Sequence, residues 1–324
     1  MAVDFHRLIA ANKRNSIVLV VGICLLILLL GGVFGFISGH YYGGGSPEAI
    51  STSIVTGLVI ASIVALISTL GSYYGGASAV LAMSKARRIE KRDDPQLFNV
   101  VEEMAIAAGA PMPKVYVIED TAPNAFATGR DPRHGVVAIT TGLRTKLTRD
   151  ELQGVIAHEM SHIGNFDIRF AMLMATLVGV VVLLCDFFLR SMRWGFYAGG
   201  RSRRRSSSSK NGGGVIVLIM IVVGLILAII APLIAKLIQL AVSRQREFLA
   251  DASATELTRN PDGLCGALAK ISGDREVLEV ANRATQHLYI VNPIKLHEKR
   301  AKSMFSTHPP IGERIKRIQS LKHG

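Results

Sequence analysis

Thr148-Arg149-Asp150-Glu151-Leu152-Gln153-Gly154-Val155-Ile156-Ala157-His158-Glu159-Met160-Ser161-His162 is the stretch on which the reading of this chain turns. Thr148 and Glu151 form a capping box: the threonine hydroxyl accepts from an N–H of the first turn, and the glutamate reaches back. The helix they open carries Leu152, Val155, Ile156 and Ile163, and His158 falls well past its first turn. His158 and His162 are one turn apart, so both imidazoles share a face at a spacing of about 6 Å. That spacing lets both reach one Zn2+ and leaves Glu159 to act on a water. The same five residues also fit a helix that merely carries two histidines, so the surroundings decide.

Catalytic zinc takes three protein ligands and leaves a position open. An extended pattern with glycine and histidine three and six residues beyond His162 is excluded, because Asn165 and Ile168 stand there. The third ligand must come from another segment. Ser243-Arg244-Gln245-Arg246-Glu247-Phe248-Leu249-Ala250-Asp251 continues from an apolar run and reads as a helix, with Glu247 and Asp251 on one face. A glutamate with an aspartate one turn later fits a metal ligand plus a carboxylate that orients a ligating histidine. An exposed face pairing with Arg244 and Arg246 is the alternative; the paired histidines favour the metal reading.

The 324 residues are 49% hydrophobic and only 19% charged, with a mean hydropathy of +0.36. Much of the apolar content lies in four long runs, which marks an integral membrane protein. Residues 16–38 and 50–83 read as transmembrane helices 1 and 2. The first continues through Gly31-Gly32-Val33-Phe34-Gly35-Phe36 without a clear cleavage site, which favours an uncleaved anchor over a signal peptide. The second is rich in Ser, Gly and Ala, as close helix packing requires. Arg7, Lys13 and Arg14 precede the first, Lys85, Arg87, Arg88, Lys91 and Arg92 follow the second, and His40 to Glu48 contains no Lys or Arg. The positive-inside rule then places the N-terminal residues 1–15 and the segment after Met83 in the cytoplasm.

Residues 170–189 and 215–240 read as transmembrane helices 3 and 4, joined by a basic, flexible loop at 190–214. If both span, that loop is external against the positive-inside rule; a hairpin that enters the bilayer partway is the alternative. Full spanning is favoured because the first spans usually set orientation. The catalytic domain would then come in two parts, 84–169 with the paired histidines and 241–324 with the third ligand.

Between the second and third runs the chain reads as a soluble α+β unit. Asp94-Pro95 starts a helix carrying Leu97, Val100, Val101, Met104 and Ala108, and Gly109 stops it. Residues 114–118 and 135–141 read as strands, and 124–127 as a short one. Cys24, Cys185 and Cys265 form no evident pair. The formal charge of +13 carries no aromatic-interleaved basic motif, so it points to topology and anionic headgroups rather than nucleic acid.

His158-Glu159-Met160-Ser161-His162 and Ser243 to Asp251 resemble the two signatures of the HtpX membrane zinc metalloproteases, a family related to the CAAX prenyl proteases. Asn124-Ala125-Phe126 and Thr307-His308-Pro309-Pro310 are similar to two further family motifs. The resemblance implies a mainly α integral membrane fold with a small β-sheet, four apolar helices and a cytoplasmic zincin-like catalytic domain. It implies one Zn2+ per chain held by His158, His162 and Glu247, with Glu159 as general base and Asp251 behind a ligand. It also implies that His308 and Arg314 help stabilise the transition state, and that Asn124, Ala125 and Phe126 belong to an edge strand holding extended substrate. For these last residues a helix start at Pro309-Pro310, carrying Ile311, Ile315 and Ile318, and an ordinary buried turn at 124–126 are the alternatives.

The implied activity is zinc-dependent hydrolysis of peptide bonds in membrane or membrane-associated proteins, in quality control under stress. The implied location is the bacterial cytoplasmic (inner) membrane, multi-pass, with the lipid bilayer and misfolded or membrane protein substrates as partners. One rival is a prenyl-peptide processing protease; four spans rather than a larger helical chamber argue against it. A second is a non-catalytic, zinc-stabilised membrane scaffold, which has no use for a base beside its ligand.

Overall fold

Two of the apolar runs fold as long helices, α1 (Phe5–Tyr41) and α2 (Pro47–Met83), each of 37 residues. At 1.5 Å per residue each is roughly 55 Å long, well beyond a hydrocarbon core of about 30 Å. Lys13–His40 and Pro47–Met83 are long and apolar enough to cross a membrane, and they contain the expected spans 16–38 and 50–83. The computed structural model describes residues 5–41, 44–174, 176–177, 179–180, 183, 244–274, 276, 278, 289–290 and 309–321. The basic loop 190–214 and the fourth run, 215–240, lie outside the described residues, as does half of the third, 170–189. The architecture is therefore mostly helical with a small mixed sheet and two candidate membrane helices.

The chain divides into two compact units, one comprising Leu19–Leu70 and Leu177–Leu237. In it α1 and α2 approach through glycine: a Cβ on Gly31 would lie 2.6 Å from the Gly57 carbonyl oxygen, and one on Gly39 2.6 Å from Ile50 Cα. Small residues of this kind let backbones meet where lipid supplies no hydrophobic drive. Val21, Leu25, Leu29, Val55, Val59, Ile63 and Ile67 stay exposed, a surface suited to lipid.

The other unit comprises Met1–Val18, Gly71–Thr176 and Ile238–Gly324. Its elements are β1 (Arg87–Arg88), α3 (Pro95–Ala107), β2 (Lys114–Ile118), β3 (Ala125–Thr128), β4 (Val136–Thr140), α4 (Thr141–Lys146) and α5 (Arg149–Gly164). Past the third and fourth apolar runs come α6 (Arg244–Thr258), α7 (Pro261–Gly273) and α8 (Ile311–Ser320). The sheet order is β1-β2-β4-β3, with β2 and β4 parallel and both outer strands antiparallel to their neighbours. Side chains alternate as a strand dictates. Val115, Val117, Ala125, Ala127, Val137 and Ile139 join the core with α3, α5 and α7, while Ile118, Phe126, Val136 and Ala138 join a second cluster with Val80, Leu81 and Tyr289.

Local chemistry sets the helix boundaries. Leu97 N–H donates to the Asp94 side chain at 3.0 Å, Pro95 opens α3, and Gly109 leaves it at φ +58. At α5 the Thr148 N–H donates to Glu151 Oε2 at 2.7 Å and the Glu151 N–H donates to Thr148 Oγ1 at 3.4 Å. Lys270 of α7 then pairs with Glu151 at 2.7 Å. Gly154 shows why α5 tolerates a mid-helix glycine, which costs about 0.5–1 kcal/mol relative to alanine: a Cβ there would lie 2.7 Å from Leu264 N. Close contact with α7 holds α5 in place. Strand β1 and helices α4 and α7 are additions to the sequence reading; β1 is too short for a periodic signal, α4 begins at Thr141, which reads as strand, because the Thr140 side chain caps it, and α7 carries an Asn260 cap accepting from Gly263 N–H at 3.2 Å.

Candidate metal centre

His158 and His162 project from α5 with their Nε2 atoms 3.2 Å apart. Helix α6 crosses beside them and brings Glu247 Oε1 to 3.6 Å from His162 Nε2 and Oε2 to 3.8 Å from His158 Nε2. These three residues form a group able to hold a metal ion. With metal–ligand bonds of about 2.0–2.1 Å, neighbouring ligands of one tetrahedral ion sit roughly 3.3 Å apart. The observed separations fit that test. Two imidazole nitrogens and one carboxylate are also a donor set for a borderline-soft divalent cation.

Each histidine is held from behind. His158 Nδ1 lies 3.1 Å from Asp251 Oδ1, one turn along α6 from Glu247. His162 Nδ1 lies 3.0 Å from Asp167 Oδ2, just past the end of α5. A carboxylate at Nδ1 places the proton there and leaves the Nε2 lone pair to the site. Arg314 of α8 is fully buried and grips Asp251 with Nε at 2.8 Å and one terminal nitrogen at 2.6 Å. Its other terminal nitrogen lies 3.4 Å from Glu247 and donates to the Ile290 carbonyl at 3.2 Å. Arg246 stands 3.6 Å from Asp167.

Four buried carboxylates, Glu159, Asp167, Glu247 and Asp251, thus face the guanidiniums of Arg246 and Arg314. Negative charge is in excess, and the titration of the groups reflects it. Burial first, and then the Glu247 charge, push Glu159 up to about 7 against His162, the Ala127 N–H and Arg314. Burial disfavours a charged His162, but its hydrogen bond to Asp167 and the charges of Glu247, Asp167 and Glu159 raise it to about 9. Burial, with the Arg314 and His162 charges, lowers His158 despite Asp251. Burial also opposes ionisation of Asp251, yet Arg314 and His158 hold it below the usual carboxylate range. The centre retains protons where a divalent cation would supply the missing positive charge.

Beside the histidines runs the outer edge of the sheet. Asn124 accepts from Thr140 N–H at 3.0 Å, so it faces β4. One residue on, the Ala125 carbonyl turns away from β4 and accepts from Ile290 N–H at 2.9 Å, while the Ala125 N–H donates to Asn124 Oδ1 at 3.1 Å. Ala127, two residues along, donates its N–H to the Glu159 carboxylate. Phe126 points to the opposite face and meets Tyr289 edge-on at 5.1 Å. The structure therefore gathers His158, Glu159, His162, Glu247, Asp251 and Arg314 around one point, while of the expected substrate residues Ala125 lies at the outer edge of β3, Asn124 faces β4 and Phe126 points to the opposite face. His308 lies outside the described residues. Sequence reasoning missed Asp167 and Ile290; an aspartate just beyond a helix that carries paired histidines was the available signal for the first.

The profile of peptidase family M48 matches residues 91–322. A "Protease HtpX homolog" of Listeria monocytogenes serotype 4b is 46% identical over 314 residues, covering 97% of this chain and 98% of the relative. A second of that name, from Dictyoglomus thermophilum, is 41% identical over 317 residues, covering 98% of this chain and 95% of the relative. Among solved structures, that of S. mikatae Ste24p is 20% identical with a TM-score of 0.43, covering 96% of this chain and 66% of that one. With a donor set for a metal beside a buried glutamate, and with relatives matched almost end to end, the chain belongs to peptidase family M48 and is a membrane metalloprotease.

Proposed function

We propose that the protease binds one Zn2+ through His158, His162 and Glu247 and cleaves peptide bonds of membrane or membrane-associated proteins at the cytoplasmic face of a bacterial inner membrane. The observation that carries this reading is the convergence of three ligand atoms within 4.8 Å of one another beside Glu159. Zinc, when bound there, lowers the pKa of water and polarises a carbonyl. The chain's own residues do the rest. Glu159 accepts the proton of the attacking water and passes it to the leaving amine. Asp251 and Asp167 keep the two imidazoles turned so that Nε2 faces the site. Arg314 serves as a positioning residue by clamping Asp251, and His308 is proposed to act at the transition state.

Extended substrate would lie along β3, pairing with the outward groups of Ala125 and Ala127. To do so it must replace Ile290 at the Ala125 carbonyl. That favours unstructured or locally unfolded segments, which have free backbone to offer, and suits a role in quality control of damaged membrane proteins. The test is Glu159→Gln, assayed on casein in the presence of zinc together with the protein's zinc content. Zinc should be retained and cleavage should fall by about 10²–10⁴-fold. Unchanged cleavage overturns the mechanism, and zinc-loaded protein of either form that never cleaves favours the scaffold alternative.

A further inference from the structure

A cluster of cations and aromatic rings, separate from the metal centre, lies where the polar chain meets its apolar segments. Lys13 Nζ is 4.5 Å from the centroid of the Phe166 ring, and the Arg169 guanidinium is 4.9 Å from the same centroid. Arg169 also faces Tyr73 at 5.9 Å, and Arg130 faces Tyr74 at 5.3 Å. Two like charges on one ring repel, and ring faces and backbone satisfy them only in part. Arg169 Nε donates to the Arg130 carbonyl at 2.6 Å. Among the described residues neither Lys13 nor Arg169 has a carboxylate partner; Asp131, close by in sequence, is taken by His134 at 2.7 Å and Arg130 at 3.7 Å.

The position of the cluster says what kind of anion it suits. Lys13 stands one turn before Ile17, where the exposed apolar surface of α1 begins, and Tyr73-Tyr74 stand one turn after Leu70 on α2. Arg169 directly precedes Phe170, where the third apolar run starts. Tyrosines with Lys and Arg at the ends of apolar helices mark the headgroup layer. We propose that Lys13 and Arg169, with Arg130 at the rim, form a site for the phosphate of an anionic phospholipid at the membrane face. The lipid would rest on Phe166, which adopts φ +61 and immediately precedes Asp167, the residue that holds His162. Headgroup occupancy would thereby steady the turn behind a metal ligand.

The experiment uses the full chain reconstituted in nanodiscs of phosphatidylcholine with a minor fraction of phosphatidylglycerol. Lipids retained on the protein are counted by native mass spectrometry. The parent should retain phosphatidylglycerol in preference to phosphatidylcholine. Lys13→Gln/Arg169→Gln should lose that preference by on the order of tenfold, whereas Lys114→Gln/Lys316→Gln, which removes the same charge from exposed positions on β2 and α8, should keep it. A single Lys13→Gln variant, at an exposed residue, guards against misfolding of the double variant and should show a partial loss. No preference in the parent, equal losses in both double variants, or a preference abolished by inorganic phosphate would overturn the assignment.

Discussion

The two histidines of the candidate metal centre are supported in different ways. His158 leans on Asp251 of α6, which is gripped by Arg314 of α8, so its support reaches across sequence separations of 63 and 156 residues. His162 leans on Asp167, five residues on, with Arg246 behind it. His158 is fully buried, whereas 16% of the His162 side chain stays exposed. One support therefore exists only when the helices of both catalytic segments have assembled. The other is built into the turn after α5. Damage to the first should be felt in the fold, and damage to the second in the chemistry.

The largest effect is expected at Arg314. Arg314→Met keeps much of the volume but leaves Asp251 buried without its counter-charge, a change worth about 3–5 kcal/mol. Denaturant unfolding in detergent should show that loss, and zinc content should fall with it. Arg314→Lys should rescue only part, because a lysine cannot grip both oxygens of Asp251 in a fixed plane. Stability and zinc content unchanged in Arg314→Met would remove the tertiary half of the comparison.

Asp167→Asn should act more mildly and on a different observable. The hydrogen bond to His162 Nδ1 survives in neutral form, so unfolding should shift much less than in Arg314→Met. Zinc affinity should fall by about 10–100-fold, the usual consequence of weakening a histidine's outer partner. Chelator competition measures it. A variant that unfolds as readily as Arg314→Met would show that the local support is structural after all.

What could be read in advance follows the same division. The capping box at Thr148 and Glu151, the Asp94-Pro95 start and the one-turn spacings of His158 with His162 and Glu247 with Asp251 are local patterns, visible without a fold. The grip of Arg314 on Asp251 is not, since no periodicity links residues 63 apart. Asp167 is near in sequence yet was missed, because the chain first turns back at Phe166 with a positive φ that a helical reading does not anticipate. Ile290 reaches the edge of β3 only through tertiary packing, and Gly154 looks like a weak point in α5 until α7 is laid against it. The apolar runs showed two long helices plainly, because length and composition are enough for that.

The smallest effect, about tenfold per pH unit, tests the histidines against each other. His162 is raised to about 9, so in the metal-free protein it carries a proton through the neutral range. His158 is lowered and arrives already neutral. A ligating imidazole must give up its proton, so zinc affinity should rise as pH rises from about 7 to about 9 and level off above. Below about 7 Glu159 is also protonated and the slope should steepen. Asp167→Asn removes the main group that raises His162, so the rise should shift to lower pH and flatten between about 8 and 9. Asp251→Asn touches the other histidine and should weaken binding while leaving the shape of the profile intact. Chelator competition across this range, corrected for the chelator's own protonation, separates the cases. Parallel profiles for parent and Asp167→Asn would mean that the proton displaced by the metal does not sit on His162.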